Sequence, residues 1–494
     1  MLVNINDEKN FVEYLKNLNG NFTIILKKEN KYFIASDRIN SFPLFYSEAG
    51  NEILIGDNAK EMAQYLSVEK LINEQALLEI AAMGYTLGNK TLYRDISLLG
   101  PGEYLVVDLE RNVSERKSYF VHSHTEKYPR DEKFLLKKLD SVIKSTFDRL
   151  VQSTNGHQIV LFLSGGYDSR LILLNLHKRQ YRNVVCVSLR SKLDKDVQVA
   201  KTIAHKLGYR FLSVDFNKEY WRKRSAKSGF WSLMDTLFNG VALYYPQGLV
   251  IEDLKKQKLI DEDSVILTGN SGDVVEGNDV SDKFEQGETY SKKEIIDEII
   301  STHCLNIISR RENYDKIFME ISHYIVDKKS YSFVDAQNIF EWFNWYERQC
   351  KYVTSDVRNY DAISGNEWRL PLWDHEFVDF WLNVPIDYRF KRKLYYQYVK
   401  NDNMPTANVA TAYDKVRSLF INRCGFLLDY AYFVRQIVGY LGREIPFAFC
   451  GVVSFREWCK ILWFTRRNKV KFLSAWMYKL FLEKHGFNIF LRFK

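Results

Sequence analysis

The stretch Ile159-Val160-Leu161-Phe162-Leu163-Ser164-Gly165-Gly166-Tyr167-Asp168-Ser169 decides how the chain is read. Its first four residues are apolar, partly β-branched and uninterrupted, which predicts a strand buried on both faces of a parallel sheet. Gly165 and Gly166 let the backbone turn tightly and come close to a ligand. Arg170 to Leu176 then predicts a helix, so its first N–H groups point back at the turn. Strand, Ser-Gly-Gly turn and helix start together make a cradle for an anion, suited to phosphate. Asp168 stands where phosphate oxygens would converge, and a carboxylate there suits Mg²⁺ better than phosphate itself.

Working outward, Val184 to Leu189 predicts a second buried strand, Asp196 to Gly208 a helix, and Tyr209 to Asp215 a further strand. Ser264 to Leu267 predicts another, running into Thr268-Gly269-Asn270-Ser271-Gly272-Asp273. Strands alternating with helices predict an α/β fold with a doubly wound parallel sheet and ligand at the carboxyl ends of the strands. Upstream, residues 19–57 alternate turns with the short runs Phe22–Leu26, Tyr32–Arg38, Pro43–Tyr46 and Glu52–Asp57. That pattern predicts an antiparallel meander, so the chain combines α/β with an α+β region. Glu341 to Gln349 predicts a half-buried helix, and His122 and His124 are expected at the surface of a linker.

A chain of 494 residues exceeds one core, and we expect domains at 1–120, 121–420 and 421–494. Hydrophobic content of 46% and charged content of 27% fit a folded protein, and no run approaches the length a membrane span needs. The opening Met1 to Lys9 has neither a basic n-region nor an apolar h-region, so no signal peptide is expected. The six cysteines (Cys186, Cys304, Cys350, Cys424, Cys450 and Cys459) lie scattered without a C-x-x-C pair. This argues for a reducing cytoplasm and against a zinc site or a disulfide framework.

Charge is uneven. From Arg417 onward there are 14 Lys and Arg against 4 Asp and Glu, a surplus of 10 in a chain of net charge +8, so the preceding residues sum to −2. The tail alternates basic with large apolar residues, as in Trp458 to Arg467. Amphipathic helices that pack on the body suit this best; docking on an anionic membrane surface or a protein is the second reading, and nucleic acid the least favoured.

The S-G-G-x-D-S pattern at 164–169 is the signature of the ATP pyrophosphatases, and the chain resembles the asparagine synthetase family of that group. The resemblance covers roughly residues 15–420. It implies ATP and Mg²⁺ as cofactors, with Ser164, Gly165, Gly166, Asp168 and Ser169 around pyrophosphate and the backbone of Val187, Ser188 and Leu189 along the adenine. Thr268 to Val274 resembles the family's second signature, S-G-E-G-x-D-E. Thr268, Gly269 and Gly272 are then nucleotide-binding, and Asp273 joins Asp168 as a metal ligand. Glu367 to Val378 resembles the family's R-x-P-[FL]-x-D segment, where helix packing for the Trp residues and a helix start for Asp374 are the preferred readings. Lys415 lies where the family carries a loop lysine over the phosphates, and would neutralise charge on the α-phosphate.

Two departures matter. The N-terminal region is similar to a class II glutamine amidotransferase domain through Gly20-Asn21-Phe22, Asp37-Arg38 and Pro43-Leu44-Phe45-Tyr46. That domain uses an N-terminal Cys as nucleophile, whereas residue 2 here is Leu and the first Cys is Cys186. Glutamine hydrolysis in cis is therefore not expected. In the second signature, the Glu that assists the incoming amine is Asn270, and the Glu after the Asp is Val274. The resemblance implies an ATP-dependent ligase that adenylates a carboxylate and passes it to ammonia or an amine. β-Lactam synthetases, lasso-peptide cyclases and synthetase-like proteins of surface-polysaccharide pathways are the comparable relatives. A silent nucleotide-binding scaffold that docks through its tail is the alternative.

Overall fold

The computed structural model describes residues 5–401, apart from residue 6 and the stretches 49–51, 70, 111–112, 190–193, 216–217, 243–245 and 305–310. Lys415 and the basic tail 421–494 lie outside the described residues.

The N-terminal region opens with the helix Glu8–Asn17, whose Phe11 and Leu15 are fully buried. Asp7 caps it by accepting from Asn10 N. Seven strands follow in antiparallel pairings: β1 (Thr23–Lys28), β2 (Lys31–Ser36), β3 (Leu44–Ser47), β4 (Leu54–Gly56), β5 (Ser97–Leu99), β6 (Glu103–Asp108) and β7 (Val113–Ser118). They form two sheets, ordered β1-β2-β6-β7 and β4-β3-β5. The expected single meander is thus two hairpins in separate sheets. Asp37, between β2 and β3, separates them: its carboxylate accepts from Phe22 N at 2.8 Å, Ile39 N at 3.0 Å and Ser41 N at 3.0 Å. Three backbone donors on one buried carboxylate fix the turn that leaves the first sheet.

The second region is built on a five-stranded parallel sheet: β8 (Ile159–Phe162), β9 (Val184–Ser188), β10 (Arg210–Ser213), β11 (Val265–Leu267) and, beyond a separate two-stranded antiparallel pair of β12 (Thr289–Tyr290) and β13 (Tyr331–Ser332), β14 (Trp368–Arg369). The order β10-β9-β8-β11-β14 means that the chain starts in the middle, moves outward through β9 and β10, and returns to the other side of β8. Helices connect the successive strands, and with this order they form the doubly wound arrangement. The direction reverses between β8 and β11, and this switch point opens a crevice at the carboxyl ends. The central residues Ile159, Val160, Leu161, Ile266 and Leu267 are fully buried. Burial of such side chains contributes about 1.5–3 kcal/mol each.

The two regions share a core. Met83, Tyr85, Leu87 and Leu98 pack with Ile295, Ile299, Phe340 and Phe343. Thr86 N and Leu92 N donate to the carbonyls of Val241 and Gly240 at 3.1 and 2.7 Å. His122 and His124, expected at the surface, are buried instead. His122 stacks on Trp345 with ring centroids 4.7 Å apart, and Thr125 N and Tyr128 N bond the carbonyls of Leu382 and Asn383. The connection is packed into the second region rather than laid over it, and burial holds both imidazoles below their usual pKa. The expected helix over 341–349 also differs. An α-helix, Phe333–Phe343, passes into a π-helical segment, Asn344–Val353. Among the described residues, no helix is long and apolar enough to cross a membrane.

Candidate active site

The Ser-Gly-Gly turn and the start of the helix Tyr167–Lys178 are closed by their own side chains. Ser164 N donates to Ser169 Oγ at 3.1 Å, the two Ser hydroxyls lie 3.1 Å apart, and Gly166 N donates to Ser164 Oγ at 3.2 Å. Gly166 is the helix N-cap and offers no side chain to the first-turn N–H groups, which remain available to an anion. Ser164 and Gly166 are exposed, so the cradle faces solvent. Gly165 sits tightly against Asp196: a Cβ there would lie 2.9 Å from Asp196 Oδ1 and 3.2 Å from its Cα. Ser188 on β9 donates its hydroxyl to Leu163 O, so Val187 and Ser188 run alongside the turn, with Leu189 next in the chain.

The second loop is pressed onto the first. A Cβ on Gly269 would meet Ser169 N at 2.9 Å, and one on Gly272 would meet Leu372 Cδ1 at 2.3 Å. Thr268 is buried with its hydroxyl 3.4 Å from Asn270 N, and Trp373 Nε1 donates to Asn270 O at 2.8 Å. Ser271 adopts a left-handed φ of 55° and donates to Gln349 Oε1. Gln349 and Asn344 are joined across five residues at 3.1 Å, so the π-helical segment aims Gln349 at this loop.

Between the loops sits a charge cluster larger than expected. The Arg392 guanidinium donates to Asp168 Oδ1 and to Glu276 Oε2, the latter also through Nε at 2.9 Å. Asp273 belongs to the same field: burial and the neighbouring Asp168 push its carboxyl up to about 6. Glu276 is fully buried, its carboxyl raised well above the ordinary range by burial, and its Oε1 has no hydrogen-bond partner. Lys391 and Arg392 both carry left-handed backbone, φ 53° and 58°, a conformation costing on the order of 1–2 kcal/mol for each non-glycine residue.

Three carboxylates against one guanidinium, with one oxygen unsatisfied, fit a further cation. Among the described residues no cluster of three or more His, Cys, Asp or Glu forms a metal cage. A Mg²⁺ held here by Asp168 and Asp273 would take its remaining ligands from phosphate oxygens and water, the usual habit of that ion.

Glu276 and Arg392 were not singled out from the sequence. Glu276 was within reach, three residues after Asp273 and so on the same side of a helical turn. Arg392 lies in the Lys391-Arg392-Lys393 run, where no pattern distinguishes it from a solvated basic residue. Asp374 takes the role expected of it. It caps the helix His375–Asn383 by accepting from Glu376 N at 3.0 Å, and it pairs with Arg149 and Asn19. Trp345, Trp373 and Trp381 are buried in packing. A separate cavity of about 530 Å³ lies between the Gly20 loop and the helix Glu132–Thr154, with Arg38, Arg149, Trp373 and Asp374 on its walls.

Comparison with known proteins bears on both regions. Residues 2–120 match the glutamine amidotransferase domain family, and residues 143–400 match the asparagine synthase family. The chain is similar to the glutamine-hydrolyzing asparagine synthetase 2 of Bacillus subtilis (strain 168), 24% identical over 415 residues, which cover 78% of this chain and 53% of that protein. It is also similar to the microcin J25-processing protein McjC of Escherichia coli, 26% identical over 332 residues, covering 65% of this chain and 58% of the relative. The chain therefore spans a little over half the length of these curated relatives.

Proposed function

The chain belongs to the asparagine synthase family, and from that premise we propose that it is an AMP-forming amide ligase that does not hydrolyse glutamine. The observation that carries the reading is the meeting of the two loops at the switch point, where Asp168, Asp273 and Glu276 converge on Arg392. In this reading the cradle of Ser164, Gly165, Gly166 and Ser169 holds the pyrophosphate end of ATP, with Thr268, Gly269 and Gly272 closing over it. The backbone of Val187, Ser188 and Leu189 flanks the adenine. Asp168 and Asp273 hold Mg²⁺, which would neutralise the departing pyrophosphate. Arg392 is then released from Asp168 to face phosphate oxygens, and Lys415 serves the α-phosphate.

The reaction balances in two steps. A substrate carboxylate oxygen bonds the α-phosphorus as the bond to pyrophosphate breaks. An amine nitrogen then bonds the acyl carbon as AMP leaves with the C–O electron pair.

In this reading the nitrogen comes from free ammonia, from ammonia made by another protein, or from an amine. The N-terminal region serves as framework: Arg38 Nη1 bonds Asp379 Oδ1 at 2.8 Å and its guanidinium lies over Phe120, tying that region to the helix His375–Asn383. Aspartate, uronic acids of surface polysaccharides and peptide acids are the substrate classes to examine, the last encouraged by the relative named for microcin J25 processing. The test is to supply MgATP and each acid class with ammonium and to identify the products. AMP and pyrophosphate with an amide support the reading, and ADP or no acid-dependent turnover overturns it. Glutamate released from glutamine by the protein alone would overturn the glutaminase part. Asn270 and Val274 favour a second reading, a scaffold that binds nucleotide without turnover, and the same product assay separates the two.

A further inference from the structure

Position 270, where the resemblance places a carboxylate beside the incoming amine, holds an amide, and an amide takes up no proton near neutral pH. A carboxylate lies one hydrogen bond away. Asn270 Nδ2 donates to Asp356 Oδ2 at 3.1 Å, and Gln247 Nε2 donates to the same oxygen at 3.0 Å. Asp356 belongs to the helix Thr354–Ser364 and is 1% exposed. Its other oxygen, Oδ1, is buried without a hydrogen-bond partner. Tyr360, one turn along the helix, donates to Gln247 Oε1 at 3.3 Å and stacks on Phe162, the last residue of β8, at 5.5 Å. The network thus spans the carboxyl ends of β8 and β11, the two strands that present the candidate site's loops.

Asp37, which holds a turn, has both oxygens satisfied, whereas Asp356 Oδ1 meets no donor and stays open as an acceptor beside Asn270. An unsatisfied buried oxygen costs about 1–3 kcal/mol. Resting on the ligase reading above, we propose that Asp356 is the proton acceptor of the amide-forming step, the carboxylate having moved from position 270 onto the neighbouring helix. Asn270, with its NH₂ committed to Asp356, has its own Oδ1 left to accept an N–H of the amine and orient it. As the amine nitrogen bonds the acyl carbon and AMP departs with the C–O electron pair, one nitrogen proton passes to Asp356 Oδ1 and from there to solvent. Burial pushes the Asp356 carboxyl up to about 8, so it acts as acceptor through its ionised fraction, which grows as pH rises toward that value.

The test separates the two half-reactions in the full chain. Acid-dependent exchange of labelled pyrophosphate into ATP reports adenylation, and amide formation from the same acid with ammonium chloride or methylamine reports the second step. Asp356→Asn is expected to keep exchange within about threefold while amide formation falls on the order of 10²-fold or more. Hydroxylamine, already unprotonated at neutral pH, should still give near-normal hydroxamate. The double variant Asn270→Glu with Asp356→Asn moves the carboxylate back across the hydrogen bond and should recover at least about tenfold of the lost rate. Unchanged amide formation in Asp356→Asn, or loss of exchange in that variant alone, overturns the role of Asp356. Absence of exchange in the wild-type protein instead overturns the ligase reading beneath it.

Discussion

Two groups of buried carboxylates divide this molecule, and they are spent differently. Asp37 in the N-terminal region is fully committed, with three backbone N–H donors on its two oxygens. Glu276 and Asp356, at the carboxyl end of the parallel sheet, are equally buried, yet each has an oxygen without a partner. Asp37, with both oxygens engaged, holds its turn, whereas Glu276 and Asp356 each keep an open acceptor at the crevice. On the proposed reading the first is framework and the second pair belongs to the site.

The sharpest way to break this contrast is substitution at the crevice. Asp168→Asn removes a charge from the cluster with little change of shape, and acid-dependent pyrophosphate exchange should fall on the order of 10³-fold or more. The folded protein should survive, as judged by an unchanged circular dichroism spectrum. The converse holds for Asp37→Ala, which strands three buried backbone donors. A loss of about 3 kcal/mol is expected, read as an earlier denaturant midpoint, with exchange per folded molecule unchanged. A variant of Asp37 that folds normally but loses exchange would erase the distinction between the two groups.

A pH series sharpens the comparison further. The Asp356 carboxyl is raised by burial to about 8 in the folded chain, against about 3.9 when unfolded. Between those values the folded state holds a proton that the unfolded state has released, so this group's contribution to stability falls as pH rises through the window. Asp356→Asn cannot ionise, so its unfolding midpoint should gain on the wild type between pH 5 and pH 8. A constant difference across that range would mean that Asp356 is not raised. The smallest effect belongs to Arg149→Ala. Its pair with Asp374, 2.6 Å long, is about a third exposed on the arginine side, and no more than about 1 kcal/mol should be lost.

How much of this was legible in the sequence follows from how local each signal is. The β8 run, the Ser-Gly-Gly turn and the start of the helix Tyr167–Lys178 are contiguous, and each has a local physical cause. The second loop was legible for the same reason, though only the structure shows that a Cβ on Gly269 would meet Ser169 N of the first. The strand β14 was not, because two residues, Trp368 and Arg369, carry no periodicity and pair only because Ile266 and Leu267 lie beside them. The π-helical segment was read as ordinary helix, since the extra residue per turn is set by what Asn344 and Gln349 reach for, not by composition. Arg392 and Asp356 were missed because their partners stand more than 80 residues away. His122 and His124 were placed at the surface because a polar linker is usually solvated; here Trp345 and the Glu341–Arg389 pair enclose them.

The central claim is that the crevice between β8 and β11 activates a carboxylate with ATP. The most direct measurement is exchange of labelled pyrophosphate into ATP with Mg²⁺, run against aspartate, uronic acids and peptide acids, on the wild type and on Asp168→Asn. The account predicts exchange that depends on one acid class and vanishes in the variant. Exchange that persists in Asp168→Asn, or a wild type that binds ATP yet exchanges with no acid, would contradict it.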